Sequence, residues 1–299
     1  MKQLISDKEL IRELELRFDT NEKLLQEQFT LMLELRSVNE KLVASEKLKS
    51  NFLSNIRNEI NNPLASVLEL SKNISEGAPD AETIKRFSGL IYSEAFSLDF
   101  QLRNIFASAE IEAGEATVSG VAVNVYSVLQ NIIQNFKHQV QKKKILLTHV
   151  NQSEENIPFF TDPEKLHLVV SNLISNAIQF SQAGSVVELD SSINGNVLII
   201  SVKDTGSGMN KEEREVIFDR FRQVEEGSTK TYGGHGLGLS ISKAMLELLD
   251  GTMCVVTEKG KGSTFTISIP QSQNFNTSDL IFSSEGNDFL FGENDSMSF

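Results

Sequence analysis

The chain has 299 residues, a hydrophobic fraction of 39% and a charged fraction of 23%, as in an ordinary globular protein long enough for two domains. Its formal net charge of −13 argues against nucleic acid or an anionic membrane surface as a partner, because both attract basic faces. The single cysteine, Cys254, excludes an internal disulfide, and its apolar surroundings predict a buried thiol. The sequence contains neither a membrane-span pattern nor a signal-peptide pattern, which predicts a cytoplasmic protein without a membrane span.

The first 50 residues contain neither glycine nor proline and repeat apolar residues at alternating three- and four-residue steps. The apolar positions are Leu10, Leu14, Leu24, Leu31, Leu35, Val38 and Leu42, with Arg17, Asn21 and Gln28 at intervening positions. This spacing is typical of a coiled coil, although one amphipathic helix packed on a globular body is an alternative. We favour the coiled coil, because the pattern continues without a breaker into the next helical segment.

Two further helical segments, at about 45–74 and 81–112, flank a segment with turn composition at 75–80. Two antiparallel helices joined by a short loop cannot bury both of their apolar faces alone. Pairing two copies gives a four-helix bundle, so the pattern predicts a homodimer.

From about residue 117 to 270 the periodicity changes to mixed helices and strands. The pattern predicts helices at 125–142, 163–180 and 237–249, and strands at 145–150, 186–191, 197–203, 252–256 and 264–269. Together with the helical first part, this indicates an α+β fold. The last residues, 272–299, are rich in Ser, Asn, Asp and Gly and are predicted to form a disordered acidic tail.

Residues 52–64, Phe-Leu-Ser-Asn-Ile-Arg-Asn-Glu-Ile-Asn-Asn-Pro-Leu, resemble the H-box of sensor histidine kinases. In that family the motif carries a histidine that accepts the phosphoryl group, followed by an acid. Every other position fits the motif, but Asn58 occupies the position of the histidine, and no histidine precedes His138. The resemblance therefore implies a kinase-shaped protein without its own phosphoacceptor.

Two blocks farther along resemble the N-box and the G1 box of the ATP-binding domain in the same family. The resemblance implies that Asn172 coordinates Mg²⁺ and that Asn176 assists the phosphates, and amide oxygens suit such a hard cation. It also implies that the Asp204 carboxylate accepts a hydrogen bond from the adenine amino group. Gly206 and Gly208 would then let the backbone approach the base closely.

The remaining blocks resemble the F-box, the ATP lid, the glycine-rich turn that opens a helix, and the last glycine box. Their candidate nucleotide-binding residues are Phe218, Phe221, Arg222, Lys230, Gly234, Gly236, Leu237, Gly238, Gly262 and Thr264. A helix that opens at such a turn directs backbone N–H groups at phosphates. A single glycine box is a weak signal, but several boxes in family order behind an H-box are specific. One departure is Gln179, where the family usually has a phosphate-binding lysine, and Lys230 and Arg222 are candidates to compensate.

Asn58 changes the chemistry that the resemblance implies. An asparagine nitrogen has its lone pair delocalised into the carbonyl, so it cannot attack a phosphorus atom as imidazole does. Glu59, in the position of the family's general base, then has no proton to remove. Glu59 and Asn62 also fit an element that orients water against the phosphoaspartate of a response regulator, whereas Asn62 and Pro63 alternatively only shape a helix kink.

The chain is thus interpreted in four parts: a coiled-coil signalling helix at 1–45, a dimerisation and phosphotransfer-like helical hairpin at 46–114, an ATP-binding domain at 117–271 and the tail at 272–299. The resemblance implies an α/β sandwich of the histidine-kinase ATPase (Bergerat) type, with ATP and Mg²⁺ as cofactors. It also implies a dimeric four-helix bundle and a response regulator or a partner histidine kinase as the partner.

Four functions are compatible with these residues. The favoured one is a regulatory pseudokinase of two-component signalling that binds Mg-ATP. The alternatives are a kinase that phosphorylates a partner's histidine in trans, and an ordinary histidine kinase carrying an inactivating His-to-Asn change at 58. A non-kinase ATPase related to gyrase or MutL is the fourth, and the H-box remnant argues against it.

Overall fold

The computed structural model describes residues 7–77, 79–151, 158–220 and 236–272. The chain divides into two units, Met1–Ser54 and Asn55–Phe299. Within the described ranges, no helix combines the length and the apolar character that a membrane crossing requires.

Helix α1 spans Asp7–Gly77 and accounts for all of the first unit that is described. This confirms that the helix runs without a break from the apolar repeat into the H-box segment. The side chains of Leu24, Leu31, Leu35 and Leu42 are each more than half exposed in the single chain. An exposed apolar repeat on a long helix suits a second helix as its cover, so the coiled coil stays a prediction.

A short connection at residues 78–80 separates α1 from helix α2, Ala81–Ala113. The side chain of Asp80 caps α2, because its carboxylate accepts a hydrogen bond from the Thr83 backbone N–H at 2.8 Å. Gly114 ends the helix at φ +70°, where its N–H donates to the Ile111 carbonyl. The predicted break between two helices is confirmed. Pro63 lies inside α1 and is buried, and the helix continues through it.

The rest of the second unit is an α/β sandwich. Its elements in chain order are β1 Val121–Asn124, α3 Val125–Asn135, α4 Lys137–Lys143, β2 Leu146–Asn151, β3 Pro158–Thr161, α5 Pro163–Phe180, β4 Val186–Asn194, β5 Val197–Asp204, α6 Lys211–Val216, α7 Gly238–Leu248, β6 Thr252–Glu258 and β7 Gly262–Pro270. The main sheet has the strand order β2-β4-β5-β7-β6, in which β2 and β4 are parallel and the other pairs are antiparallel. Strands β1 and β3 form a separate antiparallel pair.

One face of the main sheet is covered by helices, because α5 packs on β4 and β5 and α7 packs on β6. Alternate residues of the central strands point into this layer, as the period of two requires. The fully buried side chains of the layer include Leu129, Ile132, Leu166, Leu173, Ile174, Leu189, Leu198, Ile200 and Ile241. Burying each such side chain contributes about 1.5–3 kcal/mol, so this layer is the main source of stability in the sandwich.

Helix α2 packs on the sandwich through an aromatic cluster. Phe136, which is 0% exposed, meets the rings of Phe96 and Phe100 edge-on at centroid distances of 5.4 and 6.0 Å. Phe136 also separates α3 from α4, so the single helix predicted over 125–142 is two helices. The helix is thus interrupted at Phe136, the residue that packs in this aromatic cluster.

Two sequence predictions differ from the structure in the strands. The prediction of a buried Cys254 thiol is wrong, because Cys254 is exposed. It lies on β6, an edge strand with one face towards solvent, so its apolar neighbours alternate between exposed and half-buried. The short pair β1–β3 and helix α6 were not predicted, since segments of four to six residues carry little periodicity.

His167 on α5 provides a pH test of the packing between α2 and α5. The pKa of His167 is lowered from 6.5 to about 4, mainly by burial and also by the Arg103 guanidinium, whereas Asp99 opposes the shift. Between these two pH values the His167 side chain is protonated in the unfolded chain but not in the folded chain. The free energy of unfolding should therefore fall as the pH is lowered from 6.5 towards 4, by up to about 3 kcal/mol for this group.

Denaturant unfolding of the unaltered chain and of His167→Gln at several pH values measures this contribution. The variant should show a shallower loss of stability in that window, although His149, whose pKa burial also lowers, continues to contribute. Gln134→Asn at an exposed position changes no titratable group, so it is the control and should keep the slope of the unaltered chain. Equal slopes for His167→Gln and the unaltered chain would contradict the prediction.

Candidate nucleotide-binding site

Helix α5 carries both asparagines of the N-box. The helix begins where the Asp162 carboxylate accepts hydrogen bonds from the backbone N–H groups of Glu164 and Lys165, each at 3.0 Å. Asn172 lies two and a half turns later and is 2% exposed, and its Nδ2 donates to Asn104 Oδ1 of α2 at 2.9 Å. Asn176 follows one turn further on the same face and is partly exposed. The structure therefore places one amide in a buried contact and the other at the surface.

The first turn of helix α7 lies directly against Asn172. Gly236 has φ +66° and Leu237 is 2% exposed, so the glycine-rich turn is anchored by a buried leucine. A Cβ added at Gly238 would lie 3.2 Å from Asn172 Oδ1. Asn172 and Gly238, which are 66 residues apart along the chain, thus lie next to each other.

Asp204 ends strand β5 and is a buried residue, 6% exposed. Its Oδ1 accepts hydrogen bonds from the backbone N–H groups of Gly206 at 2.8 Å and of Ser263 at 3.2 Å. Burial raises the pKa of Asp204 above its ordinary value, and the two backbone hydrogen bonds act in the opposite direction. The carboxyl group therefore joins the G1 box to the last glycine box through one oxygen.

Three glycines around Asp204 allow close contacts between backbone segments. A Cβ at Gly206 would overlap the Phe180 carbonyl, one at Gly208 would overlap the Glu258 carbonyl, and one at Gly262 would overlap the Asp204 carbonyl. Gly208 and Gly262 also have positive φ angles of 56° and 98°. The sequence predicted glycines for close approach to a base, whereas the structure gives them a second role in packing the loops against each other.

Thr257 connects the same loops and was missed by sequence reasoning. Its Oγ1 accepts a hydrogen bond from the Met209 backbone N–H at 2.9 Å and lies 3.1 Å from the Gly262 carbonyl. Nothing in its sequence context distinguishes it from an ordinary strand threonine. Thr264 is partly exposed on β7, where it pairs with Lys203 of β5 and Val256 of β6.

The F-box is described only in part. Phe218 is partly exposed, and Lys243 Nζ of α7 lies 5.6 Å from the centre of its ring. Arg220 forms an ion pair with Glu112 near the end of α2 at 3.2 Å. The predicted site residues Phe221, Arg222, Lys230 and Gly234 lie outside the described residues.

The ammonium group of Lys143 lies at the end of α5, where the sequence has Gln179 in place of the family's lysine. Lys143 Nζ of α4 donates to the backbone carbonyls of Ile178 at 2.7 Å and of Gln179 at 2.5 Å. Burial lowers the pKa of Lys143. Lys143 therefore stabilises the carboxyl end of the N-box helix from another element, which sequence spacing alone does not reveal.

The H-box residues occupy α1, on which Asn58, Glu59 and Asn62 all have helical backbone. Asn62 is exposed, whereas the side chains of Asn58 and Glu59 lie outside the description. Within the described side chains, no group of three or more His, Cys, Asp and Glu residues could hold a metal ion.

Comparison with known proteins supports this reading of the sandwich. Residues 161–273 match the family described as histidine kinase-, DNA gyrase B- and HSP90-like ATPase. Over these residues the chain is similar to that ATPase family. The match covers α5, the Asp204 loop, α7 and both glycine boxes, and the α+β fold agrees with it.

Curated relatives are sensor kinases in bacteria and a slime mould. The autoinducer 2 sensor kinase/phosphatase LuxQ of Vibrio vulnificus (strain YJ016) is 33% identical over 231 residues, which are 76% of this chain and 27% of that protein. Hybrid signal transduction histidine kinase D of Dictyostelium discoideum is 30% identical over 246 residues, 81% of this chain and 16% of the relative. The sensor-like histidine kinase SenX3 of Mycobacterium tuberculosis (strain ATCC 25618 / H37Rv) is 28% identical over 225 residues, 75% of this chain and 54% of the relative.

A solved structure shares the fold. Full-length ShkA in complex with AMPPNP has a TM-score of 0.52 and 24% sequence identity, covering 77% of this chain and 47% of that one. The chain thus spans about half or less of these histidine kinases. Their similarity includes residues before the ATPase domain, since it covers about three quarters of the chain.

Replacing Gly262 and Gly260 by alanine distinguishes backbone strain at positive φ from steric overlap of the added Cβ. Both positions have positive φ, +98° and +82°, but a Cβ at Gly260 meets nothing within 4 Å. Gly260→Ala should therefore lower the free energy of unfolding by about 1–2 kcal/mol from backbone strain alone. Gly262→Ala adds overlap with the Asp204 carbonyl, so we expect a total of about 3–4 kcal/mol.

Denaturant unfolding of the two variants tests this difference. Similar losses at the two positions would mean that the Asp204 loop moves freely away from residue 262, against the packing described above.

Proposed function

We propose that this protein binds Mg-ATP and acts in two-component signalling as a regulatory pseudokinase without its own phosphoacceptor histidine. The observation that carries the proposal is Asn58, which stands in an otherwise matching H-box ahead of a domain of the histidine kinase-like ATPase family. Similarity to sensor kinases over about three quarters of the chain supports the same assignment.

Asp204 is the residue that we assign to adenine. Its Oδ1 is engaged by the N–H groups of Gly206 and Ser263, which leaves Oδ2 as the acceptor for the adenine amino group. Because the carboxyl is buried, a hydrogen bond made there is shielded from water and discriminates between donors and acceptors on the base. Gly206, Gly208, Gly262 and Thr264 line or support this end of the proposed site.

Asn172 is the residue that we assign to Mg²⁺, with Asn176 next to the phosphates. Among the described residues, Asn172 Oδ1 accepts no hydrogen bond, and it faces the first turn of α7 at Gly238. An unpaired amide oxygen beside a helix N-terminus fits a hard cation held between the protein and phosphate oxygens. When bound, such a cation neutralises phosphate charge. Gly234, Gly236, Leu237 and Gly238 belong to the glycine-rich turn at the phosphate end. Phe218 and Phe221 belong to the F-box that braces the proposed lid, and Arg222 and Lys230 lie in or near that lid.

The output of the protein is then directed at a partner. Asn58 has no nucleophilic nitrogen, so the chain cannot form a phosphohistidine at this position. Glu59 and Asn62 remain available to orient water against the phosphoaspartate of a response regulator, and LuxQ, a relative, is named as a sensor kinase/phosphatase. A partner histidine kinase is the other proposed target.

We further propose that the chain works as a homodimer. The exposed apolar repeat of α1 supports a coiled coil between two copies, and the exposed Leu64, Leu68, Leu90 and Phe106 of α1 and α2 support a four-helix bundle. The division at 1–45, 46–114, 117–271 and 272–299 follows from this arrangement.

A second candidate is a kinase that phosphorylates a partner's histidine in trans. The residues that favour it are the ATP-site residues themselves, Asn172 and Asp204 among them, which are present together with both glycine boxes. Gln179 at the position of the family lysine counts against it, because it removes a cation beside the phosphates. The remaining alternative, an ordinary histidine kinase carrying an inactivating His-to-Asn change at 58, is compatible with the same residues.

Asp204→Asn tests the nucleotide assignment while preserving the loop. The amide oxygen of asparagine can still accept from Gly206 and Ser263, but its NH₂ group replaces the acceptor proposed for adenine. We expect the affinity for ATP, measured by titration calorimetry, to fall at least tenfold, corresponding to about 1.5–3 kcal/mol. Asp250→Asn at an exposed position is the charge-matched control. Unchanged affinity in Asp204→Asn would refute the adenine assignment.

Asn58→His tests whether the missing nucleophile is what blocks self-phosphorylation. With γ-³²P-ATP, the unaltered chain should remain unlabelled and Asn58→His should incorporate label, because only imidazole provides a nucleophilic nitrogen. Asn61→His, three residues farther along α1, controls for a misplaced histidine and should stay unlabelled. Label on the unaltered chain would overturn the pseudokinase proposal, and no label on Asn58→His would count against both the trans kinase and an ordinary kinase carrying a His-to-Asn change.

A further inference from the structure

Asn104 of α2 makes a buried contact that lies outside every motif considered so far. Asn104 is 8% exposed, and its Oδ1 accepts the hydrogen bond from Asn172 Nδ2 at 2.9 Å. Its own Nδ2 donates to the Phe100 backbone carbonyl one turn earlier in α2, at 3.0 Å. The residues 161–273 that match the ATPase family do not include Asn104, so this contact comes from a different part of the chain.

The orientation of both amides follows from donor and acceptor chemistry. The Phe100 carbonyl can only accept, so the NH₂ group of Asn104 must face it and the oxygen of Asn104 must face Asn172. That oxygen in turn can only accept, so Asn172 must turn its NH₂ group towards Asn104. The oxygen of Asn172 is then directed away from α2 and towards Gly238, at the first turn of α7.

The opposite orientation of Asn172 is costly. Rotating its amide by half a turn would place two amide oxygens against each other in a buried contact and leave the Asn172 NH₂ group facing the phosphate end of the site. A buried polar group without a partner costs about 1–3 kcal/mol, enough to keep one orientation dominant. Both residues are more than nine-tenths buried, so water cannot readily substitute for either partner.

We propose that Asn104 is a positioning residue for the magnesium ligand: its amide oxygen holds Asn172 so that Asn172 Oδ1 faces the nucleotide-bound cation. This inference rests on the proposed function, because it takes Mg-ATP as the ligand. It adds that a residue of the helical region before the ATPase domain determines whether the cation meets an oxygen or an NH₂ group. Any movement of α2 that separates Asn104 from Asn172 weakens the metal-dependent part of nucleotide binding and leaves the adenine contacts at Asp204 in place.

The packing of α2 explains how this contact is held. Phe96 and Phe100 fasten α2 to Phe136, and Arg220 pairs with Glu112 near the end of the helix. Asn104 lies between these two attachments, on the same face as Ser108 one turn later. The position of Asn104 is thus determined from both sides along the helix.

The test compares the affinity for AMPPNP with Mg²⁺ and with EDTA in the full chain, and the ratio of the two measures the magnesium contribution. Asn104→Leu keeps the branched arrangement of side-chain heavy atoms but offers no acceptor. We expect the magnesium contribution to fall about tenfold, as for other residues that orient a metal ligand, while the affinity in EDTA stays within about twofold. Ser108→Ala is the matched control on the buried face of α2 and should leave both affinities unchanged.

A second comparison uses a metal ligand whose two side-chain oxygens make its orientation irrelevant to the cation. In an Asn172→Asp background the ligand has two carboxylate oxygens, so either face presents an oxygen to the cation. Asn104→Leu should then not lower the magnesium contribution, because the carboxylate presents an oxygen in either orientation and the substitution removes the Asn104 oxygen that opposes it. A loss of equal size in both backgrounds, or an equal loss of affinity with and without Mg²⁺, would mean that Asn104→Leu only loosens α2, and would overturn the inference.

The outcomes also distinguish a failure of the role of Asn104 from a failure of the proposed Mg-ATP function. If the unaltered chain binds AMPPNP no better with Mg²⁺ than with EDTA, the proposed Mg-ATP function fails and the role of Asn104 fails with it. If the unaltered chain shows a magnesium contribution that Asn104→Leu leaves intact, only the role of Asn104 fails.

Discussion

The close approach of three backbone segments around Asp204 is the constraint on which the nucleotide-binding end of the fold depends. Phe180 at the end of α5, the loop after β5 and the start of β7 come so near to each other that side chains at 206 and 262 would overlap carbonyl groups. One buried carboxylate oxygen joins two of these segments by accepting from Gly206 and Ser263. Because burying an unpaired carboxylate is costly, these backbone donors make the buried position of Asp204 possible.

This constraint changes what the glycine boxes say about function. Gly206, Gly208 and Gly262 are each required by contacts within the protein, so their presence supports the fold whether or not a nucleotide binds. The free oxygens of Asn172 and Asp204 carry different information, because contacts within the described residues do not account for them. The case for a ligand therefore depends on these two side chains more than on the number of matching glycines.

The sequence was a sufficient guide where periodicity is long or where a motif matches a family. Helix α5 was predicted at its observed bounds, and the helical character of α1 and α2 follows from their apolar repeats. Cys254 was placed in the core, because an apolar run does not reveal that its strand lies at a sheet edge. The contacts of Asn104, Lys143 and Thr257 join residues whose separation along the chain varies from 5 to 68, and no local pattern marks such pairs.

The proposed nucleotide site and the H-box position at residue 58 lie on separate parts of this chain. The residues that shape the proposed adenine end belong to α5, β5 and β7, whereas residue 58 lies on α1. A single substitution at 58 can therefore remove the nucleophile while the domain keeps its fold. The contact between Asn104 and Asn172, by contrast, links two parts of the chain. It connects helix α2, which lies outside residues 161–273, to the proposed metal ligand. A protein built in this way can use nucleotide binding to report or to set the position of α2, and such an output requires no phosphoryl transfer to its own chain.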